Sequence, residues 1–277
     1  MGKRLFCLLL ASILAFAFTA CAQIPAEDNP EAITEPTQTF SPAEESPEAP
    51  TVEPTVPSTE APTEESTAPV TVQHSGLKPD GSFDSGTWFM GDSMTCILIT
   101  DYLKPNNLIG EAVYTGKYGA NMFAFFDDTV MSYTSYNKCV FRPEHEGLGY
   151  DDVAVLLGEQ ATAIYMMWGT NYFWTMDANS YIELVDFLLE TCPNATIHMQ
   201  LIPWGLENIV RYDLVNVWIQ EAYAHYQEIG EDRVFLIDTY TAIGRNHDSG
   251  NIHLNYTGNE NWYTAIVEHA KNNNLSQ

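Results

Sequence analysis

Positive charge is scarce in this chain. Its 277 residues include 11 Lys and Arg against 37 Asp and Glu, which gives a formal net charge of −26. Proteins that bind nucleic acid neutralise phosphates with clustered lysine and arginine, and docking on anionic lipid requires the same charge. The composition therefore argues against a nucleic-acid partner and against electrostatic binding to a membrane, and we attribute the acid excess to solubility.

Several motifs of well-known sites are also missing. The pentapeptide Gly-x-Ser-x-Gly of the α/β-hydrolases does not occur, and no glycine-rich phosphate loop is present. His247, Asp248 and His253 are residue types that bind zinc, but no helical His-x-x-x-His pair and no cysteine pair accompanies them. We therefore predict neither a metal nor a cofactor.

Cysteine is too sparse for a disulfide framework. The chain has five cysteines at irregular spacing, and an odd number of them falls in its C-terminal two hundred residues. We expect buried free thiols there, with a single disulfide as the open alternative. The five are Cys7, Cys21, Cys96, Cys139 and Cys192.

The N-terminus has the pattern of an export signal. Lys3 and Arg4 form a charged start, and the apolar run from Leu5 to Phe18 is too short to span a membrane comfortably. The following Thr19-Ala20-Cys21 is similar to a bacterial lipobox, which predicts a lipoprotein signal over residues 1–21 and a lipid on Cys21. The alternative is an ordinary signal peptide cut near Ala20 or Ala22. The lipoprotein interpretation places the protein on the bacterial cell surface, anchored to the outer face of the cytoplasmic membrane.

A polar segment follows at residues 22–75. It consists almost wholly of Pro, Thr, Glu, Ser, Ala and Val, and it has no lysine or arginine. Such a composition cannot bury enough apolar surface to offset the entropy of ordering the chain, so we expect disorder. Proline and like charges favour extension, which suits a tether between a membrane anchor and a domain. A glycosylated stalk is the alternative.

Residues 76–277 are long enough for one domain with a sizeable core. Continuous apolar runs alternate there with amphipathic ones, which predicts a parallel sheet that helices cover on both faces. We predict an α/β fold with three layers, α/β/α, around a mostly parallel five-stranded sheet. The predicted strands are Thr87–Met90, Glu111–Tyr114, Thr162–Trp168, Thr196–Ile202 and Val234–Ile237. The predicted helices are Met94–Leu103, Ala120–Tyr133, Asp151–Leu157, Asn179–Thr191, Asn208–Ile229 and Asn259–Asn272.

Two tripeptides and one histidine carry the chemistry. Gly91-Asp92-Ser93 follows the first predicted strand, Gly169-Thr170-Asn171 follows the third, and His253 stands just before the last predicted helix. In order and spacing these motifs resemble the SGNH (GDSL-type) esterases and acetylhydrolases over roughly residues 85–270. The resemblance implies the flavodoxin-like fold of the SGNH hydrolases and the activity of a serine esterase.

The resemblance also implies a role for each residue. Ser93 is the nucleophile at a helix N-terminus, where unpaired backbone N–H groups stabilise an anion. The backbone N–H groups of Ser93 and Gly119 and the amide of Asn171 form the oxyanion hole, with Gly116 as a competing candidate for the glycine. His253 takes the serine proton and later returns it to the leaving group.

The acid that orients the histidine departs from the family pattern. The family writes Asp-x-x-His, which would put an aspartate at position 250, but Gly250 stands there. We assign the role to Asp248, five residues before His253. Two alternatives stay open: Asn251 or a backbone carbonyl orients the ring, or Asp238 at the end of the last predicted strand does.

Aromatic residues accompany the motifs. Trp168 and Tyr172 flank the second tripeptide, and we assign both, together with Asp92, to the lining of the substrate site. Aromatic faces beside a hydrolytic site suit sugars or acyl chains, and core packing is the competing explanation. Further aromatics nearby are Phe173, Trp174 and Trp204.

Together these features predict a serine esterase that hydrolyses acyl esters, foremost O-acetyl groups, of cell-envelope or environmental polysaccharide. Small acyl esters are the alternative substrates, and an O-acyltransferase would use the same site. A non-catalytic surface-binding lipoprotein on the same fold is the competing hypothesis, motivated by the displaced acid. The sequence makes no prediction of the oligomeric state.

Overall fold

The structure is a computed structural model, and it describes residues 73–127, 131, 139–171, 176–203, 209–248 and 252–275. The predicted lipoprotein signal, its Cys21 and all but the last three residues of the predicted linker lie outside these ranges. Within the described residues, none of the helices combines the length and the apolar character needed to cross a membrane.

A six-stranded sheet forms the centre of the fold, with the strand order β3-β2-β1-β4-β5-β6. All neighbouring strands run parallel except β2 and β3, which are antiparallel. Strands β1, β4 and β5 are buried along their whole length, as expected of a parallel sheet that is covered on both faces. The strands are β1 Thr87–Gly91, β2 Val113–Lys117, β3 Cys139–Phe141, β4 Ala163–Met167, β5 Thr196–Gln200 and β6 Val234–Ile237.

Helices connect the strands, and polar side chains mark where several of them begin. Asp177 caps α3 by accepting a hydrogen bond from the Ser180 N–H, and Asn255 caps α6 in the same way from Gly258. The helices are α1 Ser93–Ile97, continued by a π-helical segment Leu98–Leu103, α2 Tyr150–Leu157, α3 Ala178–Thr191, α4 Ile209–Ile229, α5 Thr239–Ile243 and α6 Tyr256–Asn272. Short 3₁₀ helices lie at Met122–Phe125, Pro143–His145 and Gly158–Gln160.

Side chains that alternate along the strands divide the core into two clusters, one on each face of the sheet. Trp88 belongs to the cluster that also takes in the buried faces of α2, α3 and α4. Its neighbour Phe89 belongs to the other cluster, with the buried faces of α1 and α6. The three-layer α/β/α arrangement with a mostly parallel sheet is thus confirmed. Cys96, Cys139 and Cys192 are buried free thiols, as predicted.

The predicted number of strands is wrong by one. Strand β3, Cys139–Phe141, pairs antiparallel with β2 at the edge of the sheet. Its three residues are too few to show an alternation of apolar and polar side chains, which is why periodicity does not find it. The antiparallel edge strand makes the sheet six-stranded rather than five-stranded.

The predicted helix Ala120–Tyr133 is also corrected. Residues Met122–Phe125 form a 3₁₀ helix, and the Asn121 side chain caps it by accepting from the Phe123 N–H. The remainder of the prediction falls partly outside the described residues. The short helix α5 was not predicted, because five residues give too little periodicity to detect.

The order of the strands determines where a site can form. With the edge strand β3 left out, the parallel strands follow the flavodoxin-like order 2-1-3-4-5, which reverses between β1 and β4. The chain leaves β1 and β4 toward opposite faces, so a crevice opens at their carboxyl ends. Ser93 follows β1 and Asn171 follows β4, so both predicted site residues lie at this switch point.

Two histidines meet beside the second core cluster: His198 is buried, and His269 is half-buried. The His198 ring stacks on Tyr165, with centroids 4.5 Å apart, and on Phe235 at 5.4 Å, and it meets the His269 ring edge-on at 5.4 Å. Among the described residues, His198 Nδ1 and His269 Nε2 have no hydrogen-bond partner. Burial lowers the pKa of His198 to about 3 and the pKa of His269 to about 4.

We expect the free energy of unfolding to fall with pH below about 6.5, the ordinary histidine pKa. Both rings are neutral when folded but take up protons in the unfolded chain. Their contribution to stability is therefore complete above pH 6.5 and is lost as the pH falls toward 4 and 3. His198→Phe keeps the stacking and removes one protonation, so the slope of stability against pH should become shallower by up to about 1.4 kcal/mol per pH unit.

Urea unfolding at a series of pH values between 6.5 and 4 measures this slope. His225→Gln, on the outer part of α4, is the matched control and should keep the wild-type slope. If His198→Phe kept the wild-type slope of unfolding free energy against pH, His198 would not be a source of the pH dependence.

Candidate active site

Ser93 is the first residue of α1, directly after β1. The Asp92 side chain caps the helix by accepting a hydrogen bond from the Met94 N–H at 2.9 Å. Within the described residues the Ser93 N–H donates to no partner, as is usual in a first helical turn. Ser93 is only 3% exposed, so little of the residue is open to solvent.

Glycines allow the strand ends around Ser93 to approach closely. A Cβ on Gly91 would lie 2.3 Å from the Met167 carbonyl oxygen and 2.3 Å from Thr95 Oγ1. A Cβ on Gly116, inside β2, would lie 2.8 Å from Cys96 Sγ. Gly116 therefore has a packing role between β2 and α1, which weakens its candidacy for the oxyanion hole.

Gly119 lies two residues beyond the end of β2. Its φ of +75° is a conformation that favours glycine, and no atom stands within 4 Å of the position that a Cβ would take. Its N–H donates to no partner in the part of the chain that the structure describes. Among the described residues the space beside this backbone is therefore unfilled, and the oxyanion role of Gly119 stays a prediction.

Asn171 joins the loop after β4 to the loop after β2. Its Nδ2 donates a hydrogen bond to the Ala120 carbonyl at 2.9 Å. One N–H of the amide is used in this contact, and it fixes the plane of the side chain. Within the described ranges the second N–H makes no hydrogen bond, so it can donate to an oxyanion, and the residue is half-buried.

His253 reaches the serine from the far end of the chain. Its Nε2 lies 3.2 Å from Ser93 Oγ, within hydrogen-bond distance. Its ring also meets the Tyr118 ring edge-on, with centroids 5.6 Å apart. Partial burial raises the pKa of Tyr118 to about 12, so the phenol is neutral beside the imidazole.

A short antiparallel bridge holds the loop that carries His253. His247 pairs with Leu254, and the Asp248 N–H donates to the His253 carbonyl oxygen at 3.0 Å. The Asn255 side chain donates to the His247 carbonyl oxygen at 3.2 Å while its Oδ1 caps α6. These contacts hold the backbone of the His253 loop against the start of the last helix.

The structure does not bring the Asp248 carboxylate to the imidazole. Asp248 is exposed, and no hydrogen bond or ion pair joins its side chain to His253 among the described residues. The alternative acid, Asp238, is exposed and caps α5 by accepting from the Thr241 N–H at 2.9 Å. Gly250 and Asn251 lie outside the described residues. The predicted orienting role of Asp248 therefore has no contact behind it among the described residues, and a variant of Asp248 tests it below.

Two of the three residues assigned to the substrate lining, Trp168 and Asp92, are buried. Trp168 is 1% exposed and packs edge-to-face on Tyr150 at 5.0 Å, so the competing explanation of core packing applies to it. Asp92 is 0% exposed and holds the backbone rather than facing the crevice. Tyr172, Phe173, Trp174 and Trp204 lie outside the described residues.

Two residues of the site were missed in the sequence. Tyr118 forms a wall beside His253, and its position directly before the glycine of the β2 loop was the available signal. Thr170 stands between Gly169 and Asn171, and both its backbone N–H and its hydroxyl donate to Asp92. In the described part of the chain no three His, Cys, Asp or Glu side chains come together as a metal site needs.

No family model matches the chain, and no curated protein matches it significantly. Similar solved structures include a family two carbohydrate esterase from Clostridium thermocellum, with TM-score 0.49 and 15% identity over 68% of this chain and 63% of that one. They also include a family 3 carbohydrate esterase from Talaromyces cellulolyticus, with TM-score 0.46 and 15% identity over 69% and 99% of the two chains. A third is a member of the lipolytic G-D-S-L family from Veillonella parvula, with TM-score 0.41 and 17% identity over 66% and 96%.

These structures come from the class of hydrolases that the motifs resemble. The chain spans less than two thirds of the Clostridium thermocellum structure. With TM-scores below 0.5 and identities of 15–17%, none of these structures carries an argument about this chain, and the chemistry has to be argued from the site's own contacts.

We expect Asp248→Asn to retain kcat within about threefold, because the exposed carboxylate makes no hydrogen bond to His253 and the backbone N–H that supports the loop is unchanged. His253→Asn removes the group that contacts Ser93 and should lower kcat by about a thousandfold or more. Steady-state hydrolysis of p-nitrophenyl acetate measures both. A loss in Asp248→Asn comparable to that in His253→Asn would assign the orienting role to Asp248.

Proposed function

We propose that the protein is a serine esterase that removes short acyl groups, foremost O-acetyl, from carbohydrate. The observation that carries the proposal is the distance of 3.2 Å between Ser93 Oγ and His253 Nε2, two atoms separated by 160 positions in the chain. A hydroxyl and an imidazole in hydrogen-bond contact form the nucleophile and base of acyl transfer. The loops that leave β1, β2 and β4 add the amide of Asn171 and the backbone N–H groups of Ser93 and Gly119, which donate to no partner among the described residues.

Each of these groups has a task in the proposed reaction. Ser93 Oγ forms a bond to the ester carbonyl carbon while His253 Nε2 accepts its proton, and the carbonyl oxygen becomes an oxyanion. The N–H groups of Ser93 and Gly119 and the Asn171 amide donate to that oxyanion. The ester C–O bond then breaks, the alcohol leaves with the proton from His253, and water activated by the same imidazole hydrolyses the acyl-enzyme.

The burial of the nucleophile supports a short acyl group. Ser93 is 3% exposed, while Gly119 beside it is exposed and carries no side chain. A small acyl group can enter such a site with its alcohol outside, whereas a long chain would need a groove of its own. The carbohydrate part of the proposal rests on the resemblance of the motifs and on the predicted export.

We also propose that the enzyme acts at the bacterial cell surface as a lipoprotein. The support is the lipobox-like Thr19-Ala20-Cys21 and the polar, proline-rich residues 22–75 that follow it. A lipid on Cys21 with an extended tether would hold the catalytic domain away from the membrane, where it would meet cell-envelope or environmental polymers.

A fluorophosphonate probe tests the esterase, because it reacts with a serine that a neighbouring base activates. We expect the probe to label Ser93 in the wild type, and we expect hydrolysis of p-nitrophenyl acetate to exceed that of p-nitrophenyl palmitate. Ser93→Ala should abolish labelling and lower kcat by about a thousandfold or more. Peptide mapping of the labelled protein identifies the residue.

Ser82→Ala is the matched control, because Ser82 is a buried serine that bonds Asp80 and contacts none of the site residues. It should keep both labelling and hydrolysis. Absence of labelling in the folded wild type would favour the non-catalytic binding protein, and a preference for the palmitate ester would overturn the short acyl group.

Lipidation has its own test. Cells that express the full chain and are fed an alkyne fatty acid should yield labelled protein in the membrane fraction, and Cys21→Ser should lose the label. Cys7→Ser, within the apolar run of the signal, should keep it. A released, unlabelled wild-type protein whose N-terminus is near Ala22 would show an ordinary signal peptide instead.

A further inference from the structure

A buried carboxylate connects the two loops that carry Ser93 and Asn171. Asp92 is 0% exposed. Its Oδ1 accepts from the Met94 N–H at 2.9 Å, and its Oδ2 accepts from the Thr170 N–H at 3.2 Å and from Thr170 Oγ1 at 2.5 Å. One oxygen therefore faces the helix that begins at the nucleophile, and the other faces the loop of the oxyanion amide.

Asp92 and Thr170 each lie next to a residue of the candidate site, so the contact between them joins two parts of that site. Asp92 directly precedes Ser93, and Thr170 directly precedes Asn171. Strands β1 and β4 pair in parallel with Gly91 opposite Met167, so both loops leave the sheet at the same edge. A shift of one loop against the other would change the distance between the serine hydroxyl and the amide that is to bind the oxyanion.

Capping the helix does not by itself explain an aspartate at this position. A cap requires a single acceptor, which serine, threonine or asparagine supplies without a buried charge. Burial disfavours the carboxylate enough to raise the pKa of Asp92 to about 6, although the hydrogen bonds from Thr170 and Met94 act in the opposite direction. The second oxygen, which the cap leaves unused, is the one that binds Thr170.

We propose that Asp92 and Thr170 are positioning residues that set the distance between the nucleophile and the oxyanion amide. The proposal rests on the esterase activity proposed above. Neither side chain touches the substrate: Asp92 acts through Ser93, and Thr170 acts through Asn171. The Thr170 hydroxyl holds the loop from one end, while the Asn171 contact to Ala120 holds it from the other.

Variants that remove or keep the hydroxyl of Thr170 distinguish a positioning role from a purely structural one. Thr170→Val keeps the shape and the backbone N–H but leaves Asp92 Oδ2 with a single donor, so the loop can move against Ser93. We expect kcat to fall roughly 10- to 100-fold with KM within about twofold, since the interaction matters when the oxyanion forms. Thr170→Ser keeps the hydroxyl and should restore kcat to within about twofold of the wild type.

Thr196→Val is the matched control. Thr196 is a buried threonine whose hydroxyl donates to the His74 carbonyl oxygen, at the start of β5 and therefore at the opposite edge of the sheet. The Thr196→Val variant loses a comparable buried hydrogen bond but should keep the wild-type kcat. Thermal unfolding of each variant reports the folded fraction, to which all rates are normalised.

Asp92→Asn is the second variant, because an amide cannot accept at both ends as the carboxylate does. It should lower kcat at least as much as Thr170→Val, and the fluorophosphonate should label Ser93 in both variants at a lower rate. A wild-type kcat in folded Thr170→Val would overturn the proposal. The proposal would also be overturned if Thr170→Val and Asp92→Asn both failed to fold while Thr170→Ser folded. Absence of labelling in the wild type would instead overturn the esterase itself.

Discussion

The parallel pairing of β1 with β2 on one side and β4 on the other is the constraint on which the site depends. Because the strands run in the same direction, their carboxyl ends meet at one edge, and the chain leaves β1 and β4 toward opposite faces. Gly91 and Gly116 allow the close approach, since a Cβ at either position would overlap a neighbouring strand or helix. The loops that carry Ser93, Gly119 and Asn171 are neighbours for this reason.

Polar contacts among the loops then turn a shared edge into a site. Asn171 bonds the backbone at Ala120, Asp92 bonds Thr170, and His253 approaches Ser93 from a loop that its own backbone bridge holds. None of these contacts is a large source of stability, and the buried carboxylate of Asp92 opposes folding at neutral pH. A buried charged group that lowers folding stability is typical of functional sites, where a fixed geometry of the side chains is maintained.

The parts of the fold that could be predicted are those with long, regular patterns. The five parallel strands and the helices α2, α3, α4 and α6 overlap their predicted ranges, because each has enough buried residues to show its period. Strand β3 and helix α5 were missed because three and five residues show none. Asn121 starts a 3₁₀ helix where the apolar spacing of residues 120–133 had suggested an α-helix, since a local cap outweighed the pattern.

The sequence by itself determined the α/β class and supplied the candidates for the nucleophile, the amide and the base, because residue type and position beside a predicted strand or helix are local properties. Only the tertiary structure decided which neighbours each side chain meets. Trp168 turns into the core because alternation along β4 points it there. Asp92 faces Thr170, 78 positions later in the chain, because β1 and β4 lie side by side. The distance from Ser93 to His253 depends on every connection between them, and so no local pattern could supply it.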